Sequence, residues 1–271
     1  MLLSRALRTS PTGANSFSNR SAVPRKTYFR TLLAVACLAA TALLSSAAAR
    51  AATINYGNFG PVPPGITFLQ VSESSGTDPV PLYGPPSPFS VGLDFTPTFT
   101  SNATGGSADI TDGQLNFTIA AGPGNGISGI NVFEAGDYTL FGGGGPPTAV
   151  AAGLILRATI TQINGAPVAP INLPPVNASF SDALPGPVVV GPWSLGLSNN
   201  IAAALQPGQL ATRIDVSINN TLLTSSEPGS IAFIAKKEFQ ISVTPNIPEP
   251  ATLMLTGLAG VISLAFRRRT A

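Results

Sequence analysis

Residues 108–120 read Ala108-Asp109-Ile110-Thr111-Asp112-Gly113-Gln114-Leu115-Asn116-Phe117-Thr118-Ile119-Ala120. Leu115, Phe117 and Ile119 alternate with Gln114, Asn116 and Thr118, so a strand here buries one face and wets the other. Asp112-Gly113 can supply the positive φ angles of a tight type I′ turn, which predicts a hairpin of Ala108–Thr111 against Gln114–Ala120. The same period of two recurs in Ile214–Ile218 and Phe239–Val243. Further short apolar runs cover Ile66–Val71, Phe89–Phe95, Ile127–Phe133, Tyr138–Phe141, Leu154–Ile163, Val188–Leu195 and Ser230–Ala235. About ten one-faced strands predict an all-β fold, an antiparallel β-sandwich of jelly-roll-like type. Within Asn200–Leu205, Ala202-Ala203-Ala204 is expected to make one helical turn. The glycine-rich stretch Phe141–Pro147 reads as a loop inside one domain, residues 52–245, because halving that length would leave two thin sandwiches.

Charge separates this body from the two ends. Residues 1–51 and 247–271 hold ten of the fourteen Lys and Arg residues. Between them stand Arg157, Arg213, Lys236 and Lys237 against eleven acids, a net charge of −7. The formal +2 of the whole chain therefore reflects basic targeting flanks, not a nucleic-acid surface. A negative body disfavours nucleic acid and acidic polysaccharide through its bulk charge. The sole cysteine, Cys37, lies in the export segment, so the mature chain is expected to contain no thiol and no disulfide.

The N-terminal end combines Arg5, Arg8, Arg20, Arg25, Lys26 and Arg30, the apolar run Thr31–Leu44, and Ser45-Ser46-Ala47-Ala48-Ala49-Arg50-Ala51. This order forms a signal peptide over residues 1–51. Cleavage after Ala51 puts small side chains at Ala49 and Ala51 and leaves Ala52 first. The basic flank is long, and Val23-Pro24-Arg25-Lys26 would make a shorter one if translation began at Val23. At the other end, Ile247-Pro248-Glu249-Pro250 precedes the apolar stretch Ala251–Phe266 and then Arg267-Arg268-Arg269. Sixteen residues make a helix of roughly 24 Å, short of the ~30 Å hydrocarbon core but able to span with local thinning. The arginines stop transfer on the cytoplasmic side, while the prolines hold the approach extended.

Pro248-Glu249-Pro250, a short apolar helix and a terminal arginine cluster together resemble the PEP-CTERM sorting signal, over residues 246–271. Ile247 stands where that family usually has Val. The resemblance implies processing by an exosortase after passage through signal peptidase, transient residence in the inner membrane, and delivery to the cell surface or extracellular matrix. It also implies an association with exopolysaccharide and biofilm.

The body offers little catalytic equipment. The chain contains no histidine, which removes Ser-His-Asp and Cys-His nucleophile systems and nearly all zinc, copper and haem ligation. No Gly-Lys-Ser/Thr follows Gly142–Gly145, so this is no phosphate loop. Paired carboxylates among Asp94, Asp109, Asp112, Glu134, Asp137 and Asp182 remain the one hydrolytic option. Asp109 with Asp112, or Glu134 with Asp137, lie near expected turns where oxygen ligands for calcium could converge. Lys236 and Lys237, beside Glu238, read as a solvated strand face, and Trp193 as a core plug beside Leu195 and Leu197. The expectation is a non-enzymatic structural or adhesive protein with no metal and no cofactor. A carbohydrate-binding sandwich is the alternative, and a surface glycosidase a second.

Overall fold

The computed structural model describes residues 52–143 and 147–247. The expected signal peptide, the Pro248-Glu249-Pro250 motif, the tail helix and Arg267–Arg269 lie outside the described residues. Among the described residues no helix is long and apolar enough to cross a membrane.

These residues form thirteen strands. They are β1 (Ala52–Val62), β2 (Ile66–Ser75), β3 (Ser87–Phe89), β4 (Gly92–Phe95), β5 (Thr100–Thr104), β6 (Ala108–Ala121) and β7 (Gly126–Phe141). There follow β8 (Ala149–Ile163), β9 (Ala166–Asn172), β10 (Val176–Ala183), β11 (Val188–Asn200), β12 (Ala211–Ser225) and β13 (Ile231–Asn246). Every pairing is antiparallel, so the described chain is an all-β antiparallel structure. One ladder runs β1-β2-β6-β12-β8, with β9 and β10 on β8. The other runs β11-β7-β13, with β4 and β5 on the far side of β13 and β3 beyond β4. The only β12–β7 pair joining the two is Ala211 with Ile127. Both ladders turn their apolar faces into one core, Phe68, Leu115, Phe117, Ile214 and Ile218 from the first and Ile130, Leu140, Ile234 and Phe239 from the second.

The expected hairpin at Asp112-Gly113 does not form. β6 runs straight through, with Asp112 opposite Thr221 and Gly113 opposite Asn220. The long β12 offers hydrogen-bond partners to β6 from Ser225 to Arg213, and a turn at residue 112 would forfeit the pairs at one end of that ladder. Gly113 serves a different purpose. A Cβ there would stand 2.3 Å from Phe99 Cζ and 3.2 Å from Tyr83 Cε2, so glycine makes room for two core aromatics.

Several separate runs join into long strands. Ile127–Phe133 and Tyr138–Phe141 are parts of β7, and Ser230–Ala235 and Phe239–Val243 mostly lie in β13. Phe89–Phe95 instead breaks into β3 and β4. The three alanines 202–204 do form a single 3-10 turn. The glycine-rich stretch connects β7 to β8, with residues 144–146 outside the described set.

Phe117 is buried on the inner face of β6, while Asn116 points outward and accepts a bond from Gln114 of the same strand. Phe117→Ala is expected to lower stability by ~3–5 kcal/mol, and Asn116→Ala by little, as read by denaturant unfolding. Equal losses would mean that the faces of β6 are assigned wrongly.

Candidate functional site

The outer face of the first ladder carries a groove of about 970 Å³. Its floor is a grid set by strand register. Ser72, Asn116, Ser217 and Arg157 lie side by side across β2, β6, β12 and β8. Thr118, Asp215 and Thr159 form the next row. Arg213, Thr161 and Gln162 close one end, and Asn55 and Gln70 one side. Neighbouring strands are about 4.8 Å apart and alternate residues along a strand about 6.8 Å. The side chains therefore present amide, hydroxyl and guanidinium groups on a grid with those two spacings. Thr118 donates to Asp215 at 2.7 Å, and Arg157 to Asn219 at 3.1 Å, which holds two of the groups in place. Both arginines of the body line this groove, against one carboxylate. Locally the surface is thus cationic, the reverse of the bulk charge from which disfavour toward acidic polymers was inferred.

A second constellation lies inside the core. Lys236, read from sequence as solvated, is 2% exposed, and its ammonium is 2.7 Å from Glu134 Oε2. The cause is a β-bulge: the pairing of β13 with β7 slips between Lys236 and Glu238. Ala232, Ile234 and Lys236 face inward before the slip, and Phe239, Ile241 and Val243 after it. Lys237 behaves as expected, exposed and paired with Asp137. Asn220 Nδ2 also donates to Glu134 Oε2, and the Tyr83 hydroxyl donates to Asn220 Oδ1 at 2.6 Å. Glu73, likewise buried, accepts the backbone N–H groups of Leu82 and Tyr83 at 2.7 and 2.8 Å and so fixes the segment that carries Tyr83. Burial pushes the Lys236 pKa down against the raising effect of Glu134. It pushes that of Tyr83 up, aided by Glu134 and Glu73.

The carboxylates considered for catalysis or calcium are dispersed among different tasks. Glu134 is sealed in the core, Asp94 is exposed on β4, and Asp137 holds Lys237. Asp109 accepts the Asn102 N–H at 2.8 Å. Asp182 accepts the Tyr138 hydroxyl, which with burial pushes that phenol up to about 12. Asp112 anchors the loop after β2, accepting from Gly76 N, Thr77 N, Thr77 Oγ1 and Ser75 Oγ at 2.9–3.0 Å. Among the described residues no three His, Cys, Asp or Glu side chains converge as metal ligands. Trp193 is buried, its indole N–H donating to Ala235 O at 3.1 Å. Glycine at 136 is required by both neighbours, since a Cβ there would stand 1.9 Å from Ala235 O and 2.8 Å from Trp193 Nε1.

The tail has a clear relative. Residues 246–269 match the family described as the PEP-CTERM protein-sorting motif, a stretch that contains Pro248-Glu249-Pro250 and Arg267–Arg269. The C-terminal tail is thus a PEP-CTERM sorting motif. No curated protein matches the chain. Among solved structures, TmCBM61 in complex with beta-1,4-galactotriose matches at 11% identity and TM-score 0.18, over 73% of this chain and 90% of that one. A structure of carbohydrate-binding modules from the β-sandwich superfamily, described for their promiscuous specificity, matches at 10% identity and TM-score 0.17, over 71% and 59%. Bacteriophage CBA120 tailspike protein 4 matches at 16% identity and TM-score 0.15, over 72% and 20%. Likenesses this slight define neither a ligand nor an activity for this chain.

Burial opposes ionisation of Asp112, but the bonds from Thr77, Gly76 and Ser75 outweigh it and hold its pKa below the ordinary 3.8. A depressed carboxylate contributes stability above its unfolded pKa and loses it as pH falls through the folded one. Acid titration of unfolding is therefore expected to show a stability loss below about pH 4 that is shallower in Asp112→Ala. Parallel acid limbs in the two proteins would refute this role.

Proposed function

We propose that the chain is exported through its signal peptide, processed by an exosortase at its tail, and delivered to the cell surface or extracellular matrix. Its body, a jelly-roll-like β-sandwich, acts there as a non-enzymatic adhesive module that grips glycan chains in the groove over β2, β6, β12 and β8. Delivery rests on the sorting motif at residues 246–269. The grip rests on the gathering of both body arginines with a grid of amides and hydroxyls in one concave face. Guanidinium groups favour carboxylate-bearing sugars, through bidentate, charge-assisted bonds. Acid–base cleavage of a glycosidic bond needs two carboxylates, and the groove lining supplies only Asp215, which favours binding over hydrolysis. In the biofilm setting that the sorting motif implies, the natural ligand is the co-secreted exopolysaccharide.

Two sets of experiments test the two halves. On a glycan array the protein is expected to prefer uronic-acid-containing polymers, with affinity falling as salt rises. Arg157→Ala/Arg213→Ala should weaken binding by about tenfold or more, while circular dichroism stays unchanged. Preference for neutral glycans, or none at all, would refute the groove assignment.

For the tail, replacing Pro248, Glu249 and Pro250 by alanine is expected to leave full-length protein in the inner membrane. Deleting the host exosortase should give the same phenotype. Neutral residues at Arg267, Arg268 and Arg269 should instead let unprocessed protein escape, since each arginine costs roughly 2.5–3.5 kcal/mol at a helix centre. Normal processing of the triple-alanine protein would mean that the tail is an ordinary anchor.

A further inference from the structure

Lys236, Glu134 and Asn220 come from three strands, β13, β7 and β12, and are 2%, 0% and 1% exposed. One oxygen, Glu134 Oε2, touches both nitrogens: Lys236 Nζ at 2.7 Å and Asn220 Nδ2. Lys236 Nζ therefore lies one carboxylate away from the Asn220 amide. The other oxygen, Glu134 Oε1, has no hydrogen-bond partner and is free to hold a proton. The rings of Phe99, Phe239 and Tyr83 stand 4.3, 5.2 and 5.7 Å from Nζ at their centroids, which excludes water. On the far side of the amide, the Tyr83 hydroxyl points at Asn220 Oδ1 from 2.6 Å. A nucleophilic nitrogen, an acid–base group, an amide carbonyl and a donor to its oxygen are thus assembled in a dry pocket.

We propose that Lys236 and Asn220 are joined in the folded protein by an intramolecular amide bond, formed with loss of ammonia and catalysed by Glu134. Glu134 first takes a proton from the Lys236 ammonium, leaving a neutral amine. The amine lone pair attacks Asn220 Cγ, and the carbonyl π pair moves onto Oδ1, where the Tyr83 O–H stabilises the developing charge. Glu134 passes a proton to Nδ2 and accepts one from the attacking nitrogen. The Cγ–Nδ2 bond then breaks, its electron pair leaves with ammonia, and the carbonyl re-forms. Lys236 nitrogen keeps one hydrogen, ammonia carries three, and Glu134 ends as the neutral acid. No oxidant, nucleotide or enzyme is consumed. Two features drive the exchange forward. Fixed proximity replaces a bimolecular encounter, and the product removes two charges from a low-dielectric core where each is costly. Ammonia diffuses away. The fall in the lysine pKa on burial works in the same direction, by favouring the free amine.

The bond would tie β12 of one ladder to β13 of the other, in a mature chain that has no cysteine with which to form a disulfide. It does not depend on what the groove binds.

Peptide mass analysis of the full chain, purified from the exporting cells and denatured, provides the test. Trypsin cuts after Arg213 and normally after Lys236, and chymotrypsin cuts after Leu223 and Phe233 between the two linked residues. The expected result is resistance at Lys236 and a branched product that holds the Asn220 and Lys236 segments together, lighter than their sum by one ammonia beyond the peptide-bond bookkeeping. Separate peptides carrying an unmodified Asn220 and a cleavable Lys236 would overturn the proposal. Glu134→Gln, if folded, should contain no branched product; its persistence there would remove Glu134 from the chemistry. Tyr83→Phe conserves the core volume and serves if the first variant does not fold. It should slow bond formation after synthesis by at least about tenfold, and an unchanged rate would eliminate Tyr83 as the donor.

Discussion

The side chains of Lys236 and Glu134 meet with almost no exposed surface between the two ladders, and until Lys236 is joined to Asn220 the carboxylate of Glu134 is what lets a buried ammonium stay there. An isolated charge in such a place is untenable, and removing one partner of a buried pair typically costs about 3–5 kcal/mol. Much of the surrounding sequence serves this arrangement. The β-bulge after Lys236 turns the side chain inward. Glu73 pins the segment that brings Tyr83 over the pair. Gly113 clears space for the Tyr83 and Phe99 rings, which pack edge to face at 4.8 Å. Tyr83, Phe95 and Phe239 pack in the same manner, with centroids 5.0–6.1 Å apart. The polar centre and the aromatic shell are one unit, since the rings keep water from Lys236, Glu134 and Asn220, and the Tyr83 hydroxyl bonds to Asn220 from within the shell.

The β class was legible because alternation survives in any strand with one buried face. Gln114–Ala120, Ile214–Ile218 and Phe239–Val243 all kept the faces their patterns predict. Strand lengths were not legible, because length depends on the partner. Asp112-Gly113 has turn chemistry, yet β12 extends alongside and the ladder overrides the local preference. The role of Lys236 was hidden for a related reason. A bulge inserts one residue into the period of two, and nothing in Ala235-Lys236-Lys237-Glu238 marks where the slip falls. Strands such as β10 escaped notice because their inner side chains, Val176, Ala178, Phe180 and Asp182, are only half-buried. The groove could not have been read at all. Arg157 and Arg213 are far apart in sequence, and only the register of β8 with β12 brings them to one face.

The chain divides its chemistry between ends and body. Targeting is written in contiguous residues, because a processing enzyme reads an extended peptide, and so the tail could be recognised from sequence alone. The groove is written across strands, because its lining is gathered from β2, β6, β12 and β8. Composition excluded histidine chemistry from the start, and in the body, residues 52–245, which holds no thiol, what remains is the chemistry of amides, hydroxyls, amines, guanidinium groups and carboxylates. Such groups bind sugars well and cleave them only when two acids face each other.

The position of β13 has a mechanical consequence. This strand ends at Asn246, where the sorting motif begins, so a pull applied at the tail is transmitted directly into it. β13 is not a free edge. It is hydrogen-bonded to β7 along its length on one side and to β5 and β4 on the other. Tension along its axis lies across those bonds and loads them together, in shear, instead of peeling them one at a time. A strand held in this way is suited to bear a load that enters the body from its C-terminal end.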